Sequence, residues 1–230
     1  MSPPLTPDTL DPPIVLQPRK TVAASVVWLH GLGADGADFE PVVEHFSDPI
    51  RDQVRFVFPH APRIPVTLNG GMEMRAWYDI VDMDFDKRAD ADGIRQSSAL
   101  LAAMLDAELD AGGPGYKVVA AGFSQGGAIA LNTGLRYPRR LAGVMALSTY
   151  LSLPEPVEPS SLDENLRTPL FLGHGSQDPV VPLAYCERSR LALREMGIRV
   201  ETHTYPMAHA VCPEQLRDID DWLTRVLLDD

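Results

Sequence analysis

Hydrophobic residues along the chain fall into two alternating patterns. Short, nearly continuous apolar runs are typical of strands covered on both faces, whereas apolar residues at every third or fourth position are typical of amphipathic helices. The first pattern predicts strands at 14–16, 22–29, 54–58, 118–121, 141–147, 169–173 and 198–205. The second predicts helices at 38–46, 92–109, 127–135, 183–196 and 216–226. This alternation predicts an α/β fold, with a mostly parallel central sheet and helices on both of its faces.

The spacing of these elements indicates a single domain. A chain of 230 residues fits one large α/β domain, and short connections leave no obvious boundary within 14–230. Residues 1–13 contain five prolines and few apolar side chains, so we predict a mobile N-terminal tail. The segment 59–76 is rich in proline and glycine, and irregular connections of this length are often functional. We expect a loop there, followed by a short strand or extended piece at 76–80.

Charge narrows the classes of partner. The chain has 32 acidic and 20 basic side chains, a net charge of −12, and no cluster of lysine and arginine stands out. This balance argues against nucleic acid or an anionic membrane surface as the main partner. Solubility alone is a sufficient explanation for the excess of acidic residues.

Cysteine content and the N-terminal sequence indicate the compartment. Two cysteines, Cys186 and Cys212, are too few for a disulfide framework, so we expect packed free thiols. Residues 1–13 lack the basic start and apolar centre of a secretory signal, and no run of 18 apolar residues is present. We therefore expect a cytoplasmic protein without stable insertion into a membrane.

One pentapeptide, Gly122 to Gly126, has the pattern Gly-x-Ser-x-Gly with Ser124 at its centre. It follows the apolar run 118–121 and precedes the helical stretch 127–135, which is the strand–turn–helix context of a nucleophile elbow. The serine must stand at the tip of a strained turn, and a Cβ two positions to either side would meet the neighbouring strand or helix. The alternative is a buried strand-to-helix turn with an inert serine, and the pentapeptide alone leaves it open.

Three side chains suited to acyl transfer, Ser124, Asp178 and His209, each follow a predicted strand. Sites in parallel sheets form at the carboxyl ends of the strands, and this is the chain order of the α/β-hydrolase triad. We predict Ser124 as the nucleophile, His209 as the base that takes its proton, and Asp178 as the acid that orients the imidazole.

Each of these assignments has a simpler alternative. An aspartate before proline, as at Asp178, often only caps a turn, and a single histidine in a loop is often a surface residue. Of the other histidines, His60 could line the site, whereas His30 and His174 precede glycines at strand ends and are interpreted as scaffold residues. None fits the triad order as well as His209. No histidine spacing typical of a metal site is present, so we predict neither a metal nor a cofactor.

The glycine-rich loop at 30–36 supplies a candidate oxyanion hole. Acyl transfer places negative charge on an oxygen atom, which preorganised backbone N–H groups stabilise. We predict the N–H of Gln125, next to the nucleophile, as one donor and the N–H of Leu32 as the other. The glycines of the loop also match Gly-x-Gly-x-x-Gly, a dinucleotide-binding pattern, but no acidic ribose partner follows a second strand at the required distance.

Five motifs occur in the order found in one hydrolase family. They are His30-Gly31-Leu32-Gly33-Ala34-Asp35-Gly36, Met74-Arg75-Ala76-Trp77-Tyr78-Asp79, Gly122-Phe123-Ser124-Gln125-Gly126-Gly127, His174-Gly175 with Asp178-Pro179-Val180-Val181-Pro182, and Tyr205-Pro206-Met207 with His209. Over residues 14–228 the chain resembles the phospholipase/carboxylesterase family, which includes the acyl-protein thioesterases and bacterial carboxylesterases. The resemblance implies an α/β-hydrolase fold without a large lid domain, the same triad and oxyanion donors, and pairing into homodimers. One departure is Ala210, where many relatives carry serine.

The resemblance also implies that the loop at 59–76 forms an apolar acyl groove. The residues that we assign to this groove are Leu68, Met72, Met74, Trp77 and Val180. Methionines suit such a surface because they adapt to varied chain shapes. The alternative is that these side chains pack beneath their own loop, and of the five residues Trp77 fits a plain core position best.

Three functional hypotheses follow. The favoured one is a serine hydrolase, a carboxylesterase that cleaves esters of short to medium acyl chains, or thioesters, through an acyl-enzyme on Ser124. The second is an acyl-protein thioesterase or lysophospholipase acting on long-chain acyl groups. The third is an α/β-hydrolase scaffold used for binding or dimerisation. For the two enzymes the partner is a small-molecule or lipid ester.

Overall fold

The computed structural model describes residues 6–82, 90–152 and 167–229. Nine strands lie within these residues: β1 Ile14–Leu16, β2 Ala24–Leu29, β3 Val54–Phe58, β4 Arg63–Val66, β5 Met72–Arg75, β6 Lys117–Phe123, β7 Gly143–Leu147, β8 Leu170–Gly175 and β9 Val200–Tyr205. The same residues contain five α-helices: α1 Asp48–Gln53, α2 Ala91–Gly112, α3 Gln125–Arg136, α4 Leu183–Glu195 and α5 Pro213–Leu223. Short 3-10 helices occupy Pro7–Thr9, Gly36–Asp38, Glu40–His45 and Thr67–Asn69, and a π-helical turn at Thr224–Leu228 follows α5.

Seven of the described strands form one sheet, in the order β1-β3-β2-β6-β7-β8-β9. β1 pairs antiparallel with β3, and the other neighbours in this sheet are parallel. The predicted mostly parallel sheet, with an edge strand at 14–16, is therefore confirmed. Because β2, β6, β8 and β9 run in the same direction, the loops that follow them meet at one edge of the sheet.

Apolar side chains cover both faces of the sheet, which explains the continuous apolar runs. In β2, Val26 and Trp28 belong to one hydrophobic cluster, whereas Val27 and Leu29 belong to the other. Helices α2, α3 and α4 pack in the cluster of Val27, and α1 and α5 pack in that of Trp28. Successive side chains of a strand point to opposite faces, so a strand covered on both faces carries no polar face. The predicted helices on both faces are confirmed.

The helix predicted at 38–46 is wrong in type, since two short 3-10 helices replace it. Pro41 lies in the first turn of the second, and the N–H of Val42 bonds to the Phe39 carbonyl three residues back, at 3.1 Å. Proline has no N–H for a helical ladder, and β-branched valines fit an α-helix less well than a straight side chain does. The apolar spacing nevertheless predicted the buried side of this segment, because Phe39, Val42 and Val43 pack against the sheet.

The segment 59–76 contains a hairpin where an irregular loop was predicted. β4 pairs antiparallel with β5, which places Ile64 opposite Met74. The turn contains Gly70 and Gly71, whose φ angles of 67° and 79° lie in the left-handed region that favours glycine. The signal was present in the sequence, because an Asn-Gly pair between two segments of alternating apolar residues is typical of a hairpin.

The described N-terminal residues lie against the domain. Leu10 packs on the hydrophobic core, and Asp11 pairs with Arg75, whose Nη2 lies 2.5 Å from the carboxylate Oδ2. Leu10 and Asp11 therefore contact the domain, and the mobile tail at 1–13 stays a prediction.

Both cysteines are free thiols, as expected, with Cys186 buried and Cys212 partly buried. Of the helices that the structure describes, none combines the length and the apolar character needed to cross a bilayer.

Candidate active site

Ser124 stands in the tight turn between β6 and α3, with φ 53° and ψ −118°. A positive φ is uncommon for a residue with a side chain. The two flanking glycines permit it sterically. A Cβ on Gly122 would lie 2.2 Å from the Gly126 carbonyl oxygen, and a Cβ on Gly126 would lie 2.5 Å from the carbonyl oxygens of His30 and Leu29. The turn therefore has the geometry of a nucleophile elbow, packed closely against the end of β2.

Backbone hydrogen bonds fix the strained turn to the neighbouring strand. The N–H of Ser124 donates to the Leu147 carbonyl at 2.8 Å. The Ser124 carbonyl accepts from Thr149 Oγ1 at 2.7 Å and from the N–H of Ala128 at 3.0 Å. The backbone of Ser124 is thus fixed by the end of β7, by Thr149 just beyond it and by the first turn of α3.

His209 lies in the loop after β9 and contacts both other predicted catalytic side chains. Its Nε2 is 2.9 Å from Ser124 Oγ, and its Nδ1 is 2.7 Å from Asp178 Oδ2. This arrangement assigns the proton to Nδ1, which leaves Nε2 free to accept the serine proton. The ring of Phe123 packs against the imidazole, with centroids 4.8 Å apart.

Asp178 is buried in the turn that follows β8. Its Oδ1 accepts hydrogen bonds from the N–H groups of Val180 and Val181, at 2.8 and 2.9 Å, while Oδ2 faces His209. A buried carboxylate needs such donors to offset its lost hydration. The backbone of the turn therefore fixes the orientation in which Asp178 meets the imidazole.

The two predicted oxyanion donors lie beside Ser124, and both residues line the same cavity. Gln125 is the first residue of α3, where backbone N–H groups point outward and the helix dipole favours negative charge. Its side chain turns away from the cavity, because Oε1 accepts from the N–H of Trp77 at 2.8 Å and Nε2 donates to the Tyr78 carbonyl at 2.7 Å. Leu32 lies in the loop after β2.

His30 orients the peptide that carries the Leu32 N–H. Its Nδ1 donates to the Gly31 carbonyl at 2.7 Å, and its Nε2 accepts from the N–H of Ala61 at 3.0 Å. Burial lowers the pKa of His30 to about 4, so the ring is neutral and both contacts fit one tautomer. Because the carbonyl and N–H of a trans peptide point in opposite directions, fixing the Gly31 carbonyl fixes the direction of the Leu32 N–H.

His174 is buried beside the predicted acid, with Nε2 2.8 Å from the Val181 carbonyl and 3.5 Å from Asp178 Oδ2. Burial lowers its pKa as well, which favours a neutral ring that donates to the turn. His60 accepts a hydrogen bond from the N–H of Gly36 at 3.1 Å and does not line the cavity.

A cavity of about 560 Å³ opens next to Ser124, and its lining is mostly apolar. Of the five predicted groove residues, Leu68 and Val180 line it, whereas Met72, Met74 and Trp77 do not. Met72 is exposed, Met74 packs against the turn of its own hairpin, and Trp77 is buried in the core. Met74 thus contacts its own loop, as the alternative proposed, and Trp77 occupies a core position.

Tyr78 and Tyr150 line the cavity but were missed in the sequence. Their hydroxyls hydrogen bond to each other, and burial raises the pKa of Tyr78 well above its usual value, so its hydroxyl stays protonated. The residues meet only because 76–80, which form no strand, run beside the loop after β7. No local pattern in the sequence signals this contact.

Comparison with known proteins identifies the family. The family model for Phospholipase/Carboxylesterase matches residues 10–227. The chain belongs to this family. It is accordingly a hydrolase of the α/β-hydrolase type.

Similar proteins cover nearly the whole of this family member. Acyl-protein thioesterase 1 of Neurospora crassa is 40% identical over 231 residues, which cover 94% of this chain and 92% of the relative. Acyl-protein thioesterase 1 of Mycosarcoma maydis is 39% identical over 233 residues, covering 93% and 96%. The crystal structure of Zea mays acyl-protein thioesterase 2 matches with a TM-score of 0.85 at 30% identity, covering 94% of this chain and 98% of the other.

The arrangement in this family member brings the three predicted catalytic side chains into contact. A serine, a histidine and a carboxylate form one hydrogen-bonded series, and the two residues predicted to supply oxyanion donors line the same cavity. Within the part of the chain that the structure describes, no group of three or more His, Cys, Asp or Glu side chains could hold a metal ion.

Proposed function

We propose that this family member is a carboxylesterase in which Ser124, His209 and Asp178 form the catalytic triad. One observation carries the proposal. The contacts of 2.9 Å from Ser124 Oγ to His209 Nε2 and of 2.7 Å from His209 Nδ1 to Asp178 Oδ2 form an unbroken series beside an apolar cavity. A binding scaffold would not require this alignment.

The first half of the reaction forms an acyl-enzyme. Ser124 Oγ attacks the ester carbonyl carbon as its proton passes to His209 Nε2, and the carbonyl electron pair moves onto oxygen. The N–H groups of Leu32 and Gln125 stabilise that oxyanion. The intermediate then collapses, the bond to the alcohol oxygen breaks, and the imidazolium returns its proton to the leaving alcohol.

The second half hydrolyses the acyl-enzyme. A water molecule takes the place of the alcohol, His209 accepts its proton, and the new oxyanion forms in the same hole. Collapse breaks the bond to Ser124 Oγ, which regains the proton from His209, and the carboxylic acid leaves. Asp178 keeps Nδ1 protonated throughout and stabilises the imidazolium.

The cavity supports acyl groups as the part of the substrate that is recognised. Its volume of about 560 Å³ lies within the range of roughly 300–1,000 Å³ that small-molecule sites occupy. Leu68 and Val180 supply apolar contact for an aliphatic chain. We propose short to medium acyl esters as substrates, with thioesters attacked by the same chemistry.

A second candidate activity is the hydrolysis of long-chain acyl thioesters on proteins. The relatives at 40% and 39% identity are named acyl-protein thioesterase 1, which favours this candidate. The chemistry at Ser124 is the same for both, so the difference lies in the length of acyl chain that the cavity accepts and in the leaving group.

The test is hydrolysis of p-nitrophenyl esters and matching thioesters with acyl chains from two to sixteen carbons. Each is measured with the wild type and with Ser124→Ala, whose fold is checked by circular dichroism. We expect Ser124→Ala to lose about 10⁴- to 10⁶-fold in kcat. Activity that peaks at short chains supports the carboxylesterase, and activity that persists to sixteen carbons on thioesters supports the second candidate. Turnover by Ser124→Ala near the wild-type rate would refute the triad.

A further inference from the structure

Trp77 is buried behind the loop that carries the Leu32 N–H. Only 2% of the side chain is exposed, and it lies outside the catalytic cavity. Its indole Nε1–H donates to the His30 carbonyl at 2.9 Å, and its ring packs against the imidazole of His30, with centroids 5.3 Å apart. Two different contacts therefore join this side chain to the residue at which the loop begins.

The backbone of Trp77 is joined to the other half of the oxyanion hole. Its N–H donates to Gln125 Oε1 at 2.8 Å, and Gln125 supplies the second backbone donor. The Trp77 carbonyl accepts a hydrogen bond from the buried hydroxyl of Ser97, which fixes the peptide from the side of α2. Trp77 is thus held between the residue after the nucleophile and the loop after β2.

The contacts at His30 control the direction of the Leu32 N–H. The indole fixes the His30 carbonyl, and the imidazole of His30 fixes the carbonyl of Gly31, at 2.7 Å. Two consecutive peptides are therefore oriented by side chains, and the second of them carries the Leu32 N–H. Backbone bonds also hold the loop, from the N–H of Ala34 to the Gly31 carbonyl at 3.3 Å and from the N–H of Gly33 to the Arg75 carbonyl at 2.8 Å, but the two His30 contacts are made by side chains.

We propose that Trp77 is a positioning residue for the oxyanion hole, which sets the Leu32 N–H relative to that of Gln125 through its contacts with His30 and with the Gln125 side chain. This role rests on the proposed function. It differs from a role in the acyl groove, because a groove residue acts on the acyl chain, whereas a positioning residue acts on the oxyanion whatever acyl group is bound.

The experiment compares Trp77→Phe with Trp28→Phe. Trp28 is also buried, lies in β2 two residues before His30, and stacks on Phe39 with centroids 5.1 Å apart. Its indole nitrogen has no hydrogen-bond partner among the described residues. Both substitutions therefore remove the same atoms from the core, but only Trp77→Phe removes a hydrogen bond to the loop.

The readouts distinguish an effect on stabilisation of the transition state from an effect on binding of the substrate in its ground state. Kinetics are measured on p-nitrophenyl acetate and octanoate, and affinity is measured for a trifluoromethyl ketone, which forms a tetrahedral oxyanion adduct with Ser124, and for a product carboxylate. Loss of a direct oxyanion donor costs about 10²–10³ in kcat, so we expect an indirect loss of about 5- to 30-fold for Trp77→Phe relative to Trp28→Phe. The loss in kcat should be equal for both esters, and KM should change by less than about twofold. Affinity for the ketone should fall by the same factor as kcat, while affinity for the carboxylate stays constant.

Other results overturn the proposal. A loss that grows with acyl length and resides in KM would make Trp77 part of the acyl site. Equal behaviour of Trp77→Phe and Trp28→Phe in every readout would reduce its role to packing. Both results leave hydrolysis that depends on Ser124 intact, so they are distinguishable from failure of the proposed function, in which no ester is turned over.

Should Trp77→Phe fail to fold, the wild type itself provides the test. The indole N–H signals are recorded by NMR with and without the trifluoromethyl ketone, and they are assigned with Trp28→Phe and Trp222→Phe. Formation of the oxyanion should shift the Trp77 indole signal and leave that of Trp28 in place. An unchanged Trp77 signal would contradict the proposal.

Discussion

Three buried or partly buried histidines show how local contacts decide what one residue type does. His209 lies between Ser124 Oγ and the Asp178 carboxylate, so its Nε2 can take a proton from the serine. His30 and His174 instead bond to backbone groups, and burial lowers the pKa of both rings. A low pKa keeps these rings neutral at pH 7, which suits a fixed hydrogen-bonding role in the scaffold.

The lowered pKa of His30 predicts a dependence of stability on pH. Its pKa is about 4 in the folded protein and about 6.5 in a model peptide, so the unfolded state takes up the proton first as the pH falls. The contribution of His30 to stability is therefore complete above about pH 6.5 and is lost as the pH falls towards 4. At pH 5 the loss is about 2 kcal/mol.

The measurement is urea unfolding of the wild type and of His30→Asn at pH 7 and at pH 5. His30→Asn has no titrating ring, so between these pH values the wild type should lose about 2 kcal/mol more than the variant does. His174 and the carboxyl groups are common to both proteins and cancel in the difference. Parallel losses in the two proteins would contradict the assigned environment of His30.

At the scale of elements, the close contact between α3 and β2 fixes the position of Ser124. A Cβ on Gly126 would lie 2.5 Å from backbone carbonyl oxygens at the end of β2, which cannot move without disturbing the sheet. A Cβ on Gly134, in the same helix, would lie 2.4 Å from Val144 Cγ2, the end of a side chain. A Cβ on Gly126 would therefore have to displace backbone atoms, whereas a Cβ on Gly134 would have to displace only a side chain.

We expect Gly126→Ala to lower stability by about 2–3 kcal/mol, because overpacking against backbone forces α3 away from β2. Gly134→Ala should cost less, since a valine can shift and alanine favours a helix by about 1 kcal/mol relative to glycine. The free energies of unfolding come from urea titration, and turnover of p-nitrophenyl acetate should fall with Gly126→Ala. Similar losses in both variants would show that the contact with β2 is not the deciding one.

The elements differ in how far the sequence reveals them. The strands of the sheet were predictable because burial on both faces leaves continuous apolar runs, as in β2 and β6. The 3-10 helices after Gly36 were not distinguished from an α-helix, since both present apolar residues about once a turn. The prolines and glycines of 59–76 favour a loop, which hides the hairpin β4–β5 although its turn carries an Asn-Gly pair.

At the scale of the whole molecule, the contact of Ser124, His209 and Asp178 was predictable because each residue follows a strand of one parallel sheet. Ser124, Asp178 and His209 are far apart in the chain, yet the topology brings their loops together. The contacts of Trp77 and the pairing of Tyr78 with Tyr150 could not be predicted in the same way, because they depend on how the irregular segment 76–80 packs. Local sequence patterns identify the residues that follow a strand, but they do not identify the residues that pack against an irregular segment.

The N-terminal residues provide a test at this scale. Removal of residues 1–12 leaves all seven strands of the sheet but eliminates the packing of Leu10 on the core and the ion pair between Asp11 and Arg75. Loss of the packing of a partly buried leucine costs about 1–2 kcal/mol, and the ion pair of an exposed carboxylate adds little. We expect the truncated chain to fold with a Tm lower by roughly 2–4 °C for each kcal/mol lost.

The matched control is the full chain with Leu10→Ala and Asp11→Asn, which removes the same two contacts and keeps the chain length. Calorimetry should give the same decrease in Tm for the control as for the truncated chain. A truncated chain with the same Tm as the wild type would mean that Leu10 and Asp11 add nothing to the stability of the domain. A decrease in Tm that occurs only on truncation would assign the stabilisation to residues other than Leu10 and Asp11. The reason is that the double substitution removes the contacts of these two side chains in a chain of full length.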